Sequence, residues 1–199
     1  MRRGGGDLHS SVSDPSLPEL LTARLRGSAV VMGIGNPNRG DDSVGSMVAR
    51  LLMAAQGRGG ATSLRVIDAE EVPEAFLGPI TQLLPGAVIL VDAVDMGEAP
   101  GTVALLEVDE MAGRGASTHN APLSLLAHFL WAETGADVFV LGIQPGGLDM
   151  GALPSPEILD AARAVALLLE AIWARRDDSV PGAPCWRGRP ISQRREAIW

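Results

Sequence analysis

The chain has 199 residues, of which 46% are hydrophobic and 4% aromatic, with no Tyr; this length suits one domain with ragged ends, and its core must rest on Ala, Val, Leu, Ile and Met. A net charge of −8 argues against a nucleic-acid partner, because neutralising phosphates needs a basic face. The single cysteine, Cys185, excludes an internal disulfide and a multi-cysteine zinc set, and no apolar run reaches the ~20 residues that span a bilayer.

The N-terminus begins Met-Arg-Arg but continues into Gly, Asp and Ser without the apolar stretch of a signal peptide, so no membrane insertion and a cytoplasmic location are expected. Residues 1–26, rich in Gly, Ser and Pro, read as a flexible N-terminal extension holding a short helix across 17–25. Residues 177–199, with Asp177, Asp178, Pro181, Pro184, Pro190 and scattered Arg, read as a flexible C-terminal tail. Between them, 27–176 form the domain. Ala29–Ile34 is a short apolar run closed by Gly35, a buried strand. Residues 42–55 place Val44, Met47, Val48, Leu51 and Leu52 at helical spacing. Residues 64–67 are a second strand, and 71–84 a helix interrupted by Pro73 and Pro79. Residues 87–91 are a third strand. A fourth, 101–108, follows a turn too short for a parallel crossover, which predicts an antiparallel edge. Residues 121–133 form a helix with Pro122 in its first turn, Asp137–Ile143 a fifth strand, and 156–175 the longest helix. The alternation predicts a single α/β domain: a mostly parallel, five-stranded sheet with helices on both faces.

In open α/β sheets, sites form outside the carboxyl ends of the strands. Strand one ends in Gly33-Ile34-Gly35-Asn36 and leads to Asp41-Asp42. Strand two ends at Asp68, strand three at Asp92 with Asp95 beyond it, and strand five in Gly142-Ile143-Gln144-Pro145. His119 and Asn120 stand just before the helix that leads into strand five. One rim thus gathers several carboxylates and an imidazole, a donor set that suits a divalent first-row metal and leaves coordination positions open. An Asp after a strand also serves as a cap or turn former, a role that suits Asp41. The residues alone leave Asp41, Asp42, Asp68, Asp92 and Asp95 as candidates. His128, on the helix face of Leu125, reads as structural, and His9 lies in the extension.

Other routes lack their residues. The Gly33–Gly40 segment has Asn38 where a dinucleotide fingerprint needs its third Gly, and acids follow where a pyrophosphate would sit. A P-loop and a phospho-acceptor site both need a Lys, and the chain has none. The serine-hydrolase elbow and the His-Glu-x-x-His helix are also absent.

The segment Gly33-Ile34-Gly35-Asn36-Pro37-Asn38-Arg39-Gly40-Asp41-Asp42 resembles the opening motif of the NiFe-hydrogenase maturation proteases. Val91-Asp92-Ala93-Val94-Asp95-Met96-Gly97 with Pro100-Gly101 is similar to their second motif, Ser117-Thr118-His119-Asn120-Ala121-Pro122-Leu123 to the third, and Leu141-Gly142-Ile143-Gln144-Pro145 to the fourth. Each motif is weak alone, but all occur in order across residues 28–175, and they resemble most the branch serving formate-hydrogenlyase-type hydrogenases.

The resemblance implies a twisted five-stranded sheet between helices, of the phosphorylase/hydrolase-like kind. It implies an aspartic-type, nickel-dependent endopeptidase that removes the C-terminal extension of the hydrogenase large-subunit precursor once nickel has entered it. The family's metal-facing and catalytic positions fall on Asp42, Asp92 and His119. The nickel belongs to the precursor; no permanent cofactor is expected, although such a site takes up Ni, Zn or Cd. The precursor is the expected partner, and the chain is expected to act as a monomer. Activity is expected to fall as His119 protonates below about 6.5. The alternative is a non-proteolytic nickel-binding or nickel-sensing accessory module for hydrogenase assembly, which would carry the same residues. Two departures stand out: Ser43 replaces the family's usual Gly after the acidic pair, and Asp68-Ala69-Glu70-Glu71 replaces a glycine-rich turn.

Overall fold

The computed structural model describes residues 15–25, 27–57, 64–108 and 123–177. In chain order the elements are α1 (Leu17–Arg24), β1 (Ala29–Ile34), a 3₁₀ turn (Gly40–Ser43), α2 (Val44–Gln56), β2 (Leu64–Glu70), a second 3₁₀ turn (Pro73–Phe76), α3 (Leu77–Leu83), β3 (Ala87–Ala93), β4 (Val103–Leu106), α4 (Leu123–Thr134), β5 (Asp137–Ile143) and α5 (Pro156–Asp177). The strands form one five-stranded sheet in the order β2-β1-β3-β5-β4. β1, β2, β3 and β5 are parallel, and β4 lies antiparallel on the β5 edge, as the short turn before it predicts. This is the expected α/β architecture.

β1 and β3 are buried along their whole length because helices cover both faces, which is why they read as continuous apolar runs. Alternate residues separate two cores. Val31, Ile89 and Phe139 meet α1, α2 and α5 through Leu21, Val48, Leu52, Ile158, Leu169 and Trp173. Val30, Met32, Leu90 and Val140 meet α3 and α4 through Ile80, Leu126 and Leu130. None of the helices in the described residues is long and apolar enough to cross a membrane.

Several boundaries differ from the sequence reading. Residues 17–25, assigned there to the flexible extension, belong to the core: Leu21 and Leu25 are fully buried. Arg24 pins this segment to β5. Its guanidinium stacks over the Phe139 ring at 4.3 Å, donates to both Asp137 carboxylate oxygens at 2.9 and 2.5 Å, and pairs with Glu107. So short a segment, with Pro15 before it and Pro18 in its first turn, carries little periodicity, so only the tertiary contacts reveal its role. β2 and β3 run further than predicted because their neighbours keep pairing with them; Asp92 lies inside β3, opposite Gly142 of β5, and Asp68 lies inside β2. The helix predicted from residue 42 begins as the tighter 3₁₀ turn. The interrupted helix at 71–84 resolves into a 3₁₀ turn started by Pro73, then α3. The start of the predicted helix at 121–122 lies outside the described residues, as do Cys185 and His9.

Candidate active site

The chain leaves β1 for β2 on one side, then crosses to β3 on the other. This reversal makes a switch point between the carboxyl ends of β1 and β3, where a doubly wound sheet usually forms its ligand crevice. Asp42 follows β1 and Asp92 lies near the end of β3, so the topology brings one carboxylate to each side of that switch point.

Glycines set how closely the pieces approach. A Cβ on Gly45, in the first turn of α2, would lie 2.1 Å from the Val91 carbonyl oxygen and 2.2 Å from that of Ile34. The start of α2 therefore rests directly on the β1–β3 junction, against the residue that precedes Asp92. Gly35 has φ +142°, and a Cβ there would lie 1.9 Å from the Asp42 carbonyl oxygen. Only glycine lets the chain turn out of β1 this tightly.

Asp42 is 2% exposed and Asp92 is fully buried. The Asp42 Oδ2 accepts the Asn36 N–H at 3.2 Å, and the Asp92 Oδ1 accepts the N–H of Ala93 at 2.9 Å. Both carboxylates are thus held by backbone at the switch point.

The other acidic residues of the rim have structural work. Asp41 accepts the N–H groups of Gly146 (2.7 Å) and Gly147 (3.0 Å) on Oδ2 and that of Ser155 (2.6 Å) on Oδ1. Burial alone would raise its pKa, but these bonds together with the Ser155 hydroxyl outweigh it and hold the carboxyl below the ordinary aspartate value. Asp41 therefore ties the turn after β1 to the segment entering α5, in keeping with the capping role read from its position. Asp68 accepts from the Ser46 hydroxyl at 2.6 Å and from Arg50 at 2.7 Å. Asp95 closes a turn by accepting the Gly97 N–H at 3.1 Å and takes a further bond from the Gln144 amide at 3.2 Å.

Asn36 and Gln144 stand in the motifs, but their roles emerge only in the fold. Asn36 donates to Glu71 at 2.8 Å through Nδ2 and accepts the Asn38 N–H at 2.8 Å, bracing the loop that holds Asp42. The Gln144 Oε1 accepts the N–H groups of Met96 (2.6 Å) and Glu98 (3.2 Å), bracing the segment beyond Asp92. The available signal was an amide within two residues of a strand end, which needs partners where it is buried.

The two departures from the family pattern also find partners. The Ser43 hydroxyl donates to the Gly40 carbonyl at 2.7 Å, tightening the 3₁₀ turn. Beyond Asp68, Glu70 pairs with Arg50 at 2.7 Å and Glu71 holds Asn36, so this wall of the crevice is an acidic, cross-linked turn.

His119 lies outside the described residues, as do Ser117, Thr118 and Asn120. α4 ends just before β5 begins, so it runs back over the sheet and its first residue, Leu123, lies toward the carboxyl ends of the strands. No group of three metal-ligating side chains occurs among the described residues. His128 is exposed, with Nδ1 2.7 Å from the Ser124 carbonyl oxygen within its own helix. A cavity of about 490 Å³ borders Arg24, His128, Trp131 and Asp137; it lies at the amino end of β5, away from the rim.

Fold and site together define a doubly wound α/β protein whose candidate chemistry is carboxylate-based and gathered at the β1–β3 switch. A family model described as HycI, hydrogenase maturation protease, matches residues 47–172. The hydrogenase 3 maturation protease of Escherichia coli strain K12 is 34% identical over 142 residues, covering 71% of this chain and 88% of that protein. The crystal structure of a NiFe-hydrogenase maturation protease HycI from Thermococcus kodakarensis KOD1 superimposes with a TM-score of 0.71 at 30% identity, over 78% of this chain and 99% of that one. The solution structure of an endopeptidase HycI from Escherichia coli gives 0.66 at 33% identity, over 72% and 90%. The chain belongs to the HycI family of hydrogenase maturation proteases, and it is a hydrolase of the endopeptidase class.

Proposed function

We propose that this chain removes the C-terminal extension of a nickel-loaded NiFe-hydrogenase large-subunit precursor in the cytoplasm, acting as a monomer. Asp42, Asp92 and His119 face the nickel that the precursor carries. The observation that supports this reading is the division of labour among the acids. Asp42 and Asp92 are buried on either side of the β1–β3 crevice, while Asp41, Asp68 and Asp95 shape the loops around it.

Two carboxylates and an imidazole suit nickel, and also zinc or cadmium. They do so with the carboxylates ionised and the imidazole neutral. When bound, nickel can polarise a carbonyl or lower the pKa of a water. The chain's own contribution is preorganisation. The Asn36 and Ala93 N–H groups fix the two carboxylates before any substrate arrives, so little ordering is left to docking. Metal recognition is the first task of these residues, and cleavage follows only when the precursor is loaded.

The test is co-expression with the large-subunit precursor of the same genome, with and without nickel, and measurement of the precursor's mass. Loss of a defined C-terminal peptide, dependent on nickel and on Asp42, is expected. An unchanged mass in a stable, nickel-containing complex would favour the accessory-module reading instead.

A further inference from the structure

The segment from Gln144 to Ser155, between β5 and α5, is stitched to the loop that carries Asp42. The Gly40 N–H donates to the Ala152 carbonyl at 3.2 Å, the Asp41 N–H to that of Gly147 at 3.1 Å, and the Gly151 N–H to that of Asn38 at 2.8 Å. Arg39 Nε donates to the Leu148 carbonyl at 2.9 Å, and the Asp41 carboxylate takes the N–H groups of Gly146, Gly147 and Ser155. The two loops therefore form one rigid ledge beside the crevice.

That ledge displays large apolar side chains to water. Leu153 is 88% exposed and Met150 is 70% exposed. A single exposed Leu is ordinary. Here Leu153 and Pro100 help to line a cavity of about 220 Å³, and Met150 stands exposed three residues before Leu153 on the same braced loop, a grouping that suits an anchor for an apolar side chain. The acidic groups lining the same cavity are Asp41, Asp149 and Glu157, and no cation lines it among the described residues. Asp41 is committed to the loop's own N–H groups, and Arg39 reaches the ledge at the Leu148 carbonyl without lining the cavity, which leaves Asp149 and Glu157 to set the charge of the cavity wall.

We infer that this ledge docks the precursor protein, with Leu153 and Met150 receiving an apolar side chain and Asp149 and Glu157 selecting a basic residue beside it. The inference rests on the proposed function. It adds the specificity surface: because the ledge is hydrogen-bonded to the Asp42 loop, a segment seated on it is held in a fixed relation to the crevice. Attraction between an acidic ledge and a basic segment also makes docking salt-dependent.

The experiment uses the full chain and the purified, nickel-loaded large-subunit precursor, with the dissociation constant and the cleavage kinetics both measured. For the double variant L153S/M150S, and separately for D149R/E157R, affinity is expected to fall and KM to rise about tenfold, with kcat within about twofold. Leu167→Ser, on an exposed position of α5, serves as the control and should match the parent chain. Binding of the parent chain should weaken as salt rises. Unchanged affinity in both double variants would overturn the inference. So would a parent chain that sediments as a dimer and becomes a monomer in L153S/M150S, since the ledge would then hold a second copy. Cleavage by the parent chain decides the proposed function, and binding decides the ledge, so the two can fail separately.

Discussion

The Asp41 carboxylate accepts the Ser155 N–H at 2.6 Å, joining the turn after β1 to the residue just before α5. Ser155 in turn accepts the Leu159 N–H through its carbonyl at 3.0 Å, so one carboxylate orients both the ledge and the longest helix. Its neighbour Asp42 sits at the crevice instead. Adjacent acids in the sequence thus do different work.

Asp41→Asn retains one acceptor where the carboxylate used two oxygens, and turns an amide N–H toward a backbone donor. It should cost about 3 kcal/mol of folding stability, read from urea unfolding. The pH dependence follows from the lowered pKa. The unfolded state holds its proton more tightly than the folded one, so stability from Asp41 is fully present above the ordinary aspartate pKa of about 3.9 and is lost as pH falls through the lower folded value. Unfolding measured between neutral pH and about pH 2 should show this loss in the parent chain, with the part due to Asp41 missing from Asp41→Asn.

Gly45→Ala would drive a Cβ into the Val91 and Ile34 carbonyl oxygens. Backbone cannot yield as a side chain does, so the variant should lose about 3 kcal/mol or more and show a clearly lower Tm by calorimetry. Gly78→Ala, where a Cβ meets nothing within 4 Å, should be tolerated.

Leu21→Ala tests whether the N-terminal helix is part of the fold. Leu21 is fully buried in the core formed with α2 and α5, so truncation should cost about 2–5 kcal/mol. Unfolding free energies unchanged from the parent would show that residues 17–25 are dispensable.

Asp42→Asn and Asp92→Asn should each lower cleavage of nickel-loaded precursor about a hundredfold or more while leaving the far-UV circular dichroism intact. His119→Ala should do the same. Asp95→Asn, whose parent closes a turn, should stay within about tenfold of the parent rate. A wild-type rate in His119→Ala would remove that residue from the site.

Much of the fold was legible in the order of the elements. Ala29–Ile34 and Asp137–Ile143 coincide with the predicted strands because runs bounded by Gly or Asp and buried on both faces leave little ambiguity. The antiparallel edge followed from turn length alone. Ends were harder to read: Asp92 sits inside β3, because β5 supplies a pairing partner that no local pattern announces. The core role of Leu21 and Leu25 was hidden for the same reason, as both rest on contacts with distant residues.

For the site, sequence by itself determined the inventory: acidic residues and an imidazole at strand ends, in motifs whose order identifies a family. Local chemistry is enough for that, since motif residues are neighbours along the chain. Which acid does what was decided by tertiary structure. Asp41, Asp42, Asp68, Asp92 and Asp95 are chemically alike, and only the placement of Gly146, Arg50, Gly97 and Gln144 around them separates the acids that brace loops from the pair buried at the β1–β3 switch. A carboxylate's role depends on the donors that reach it, and those donors arrive from far along the chain.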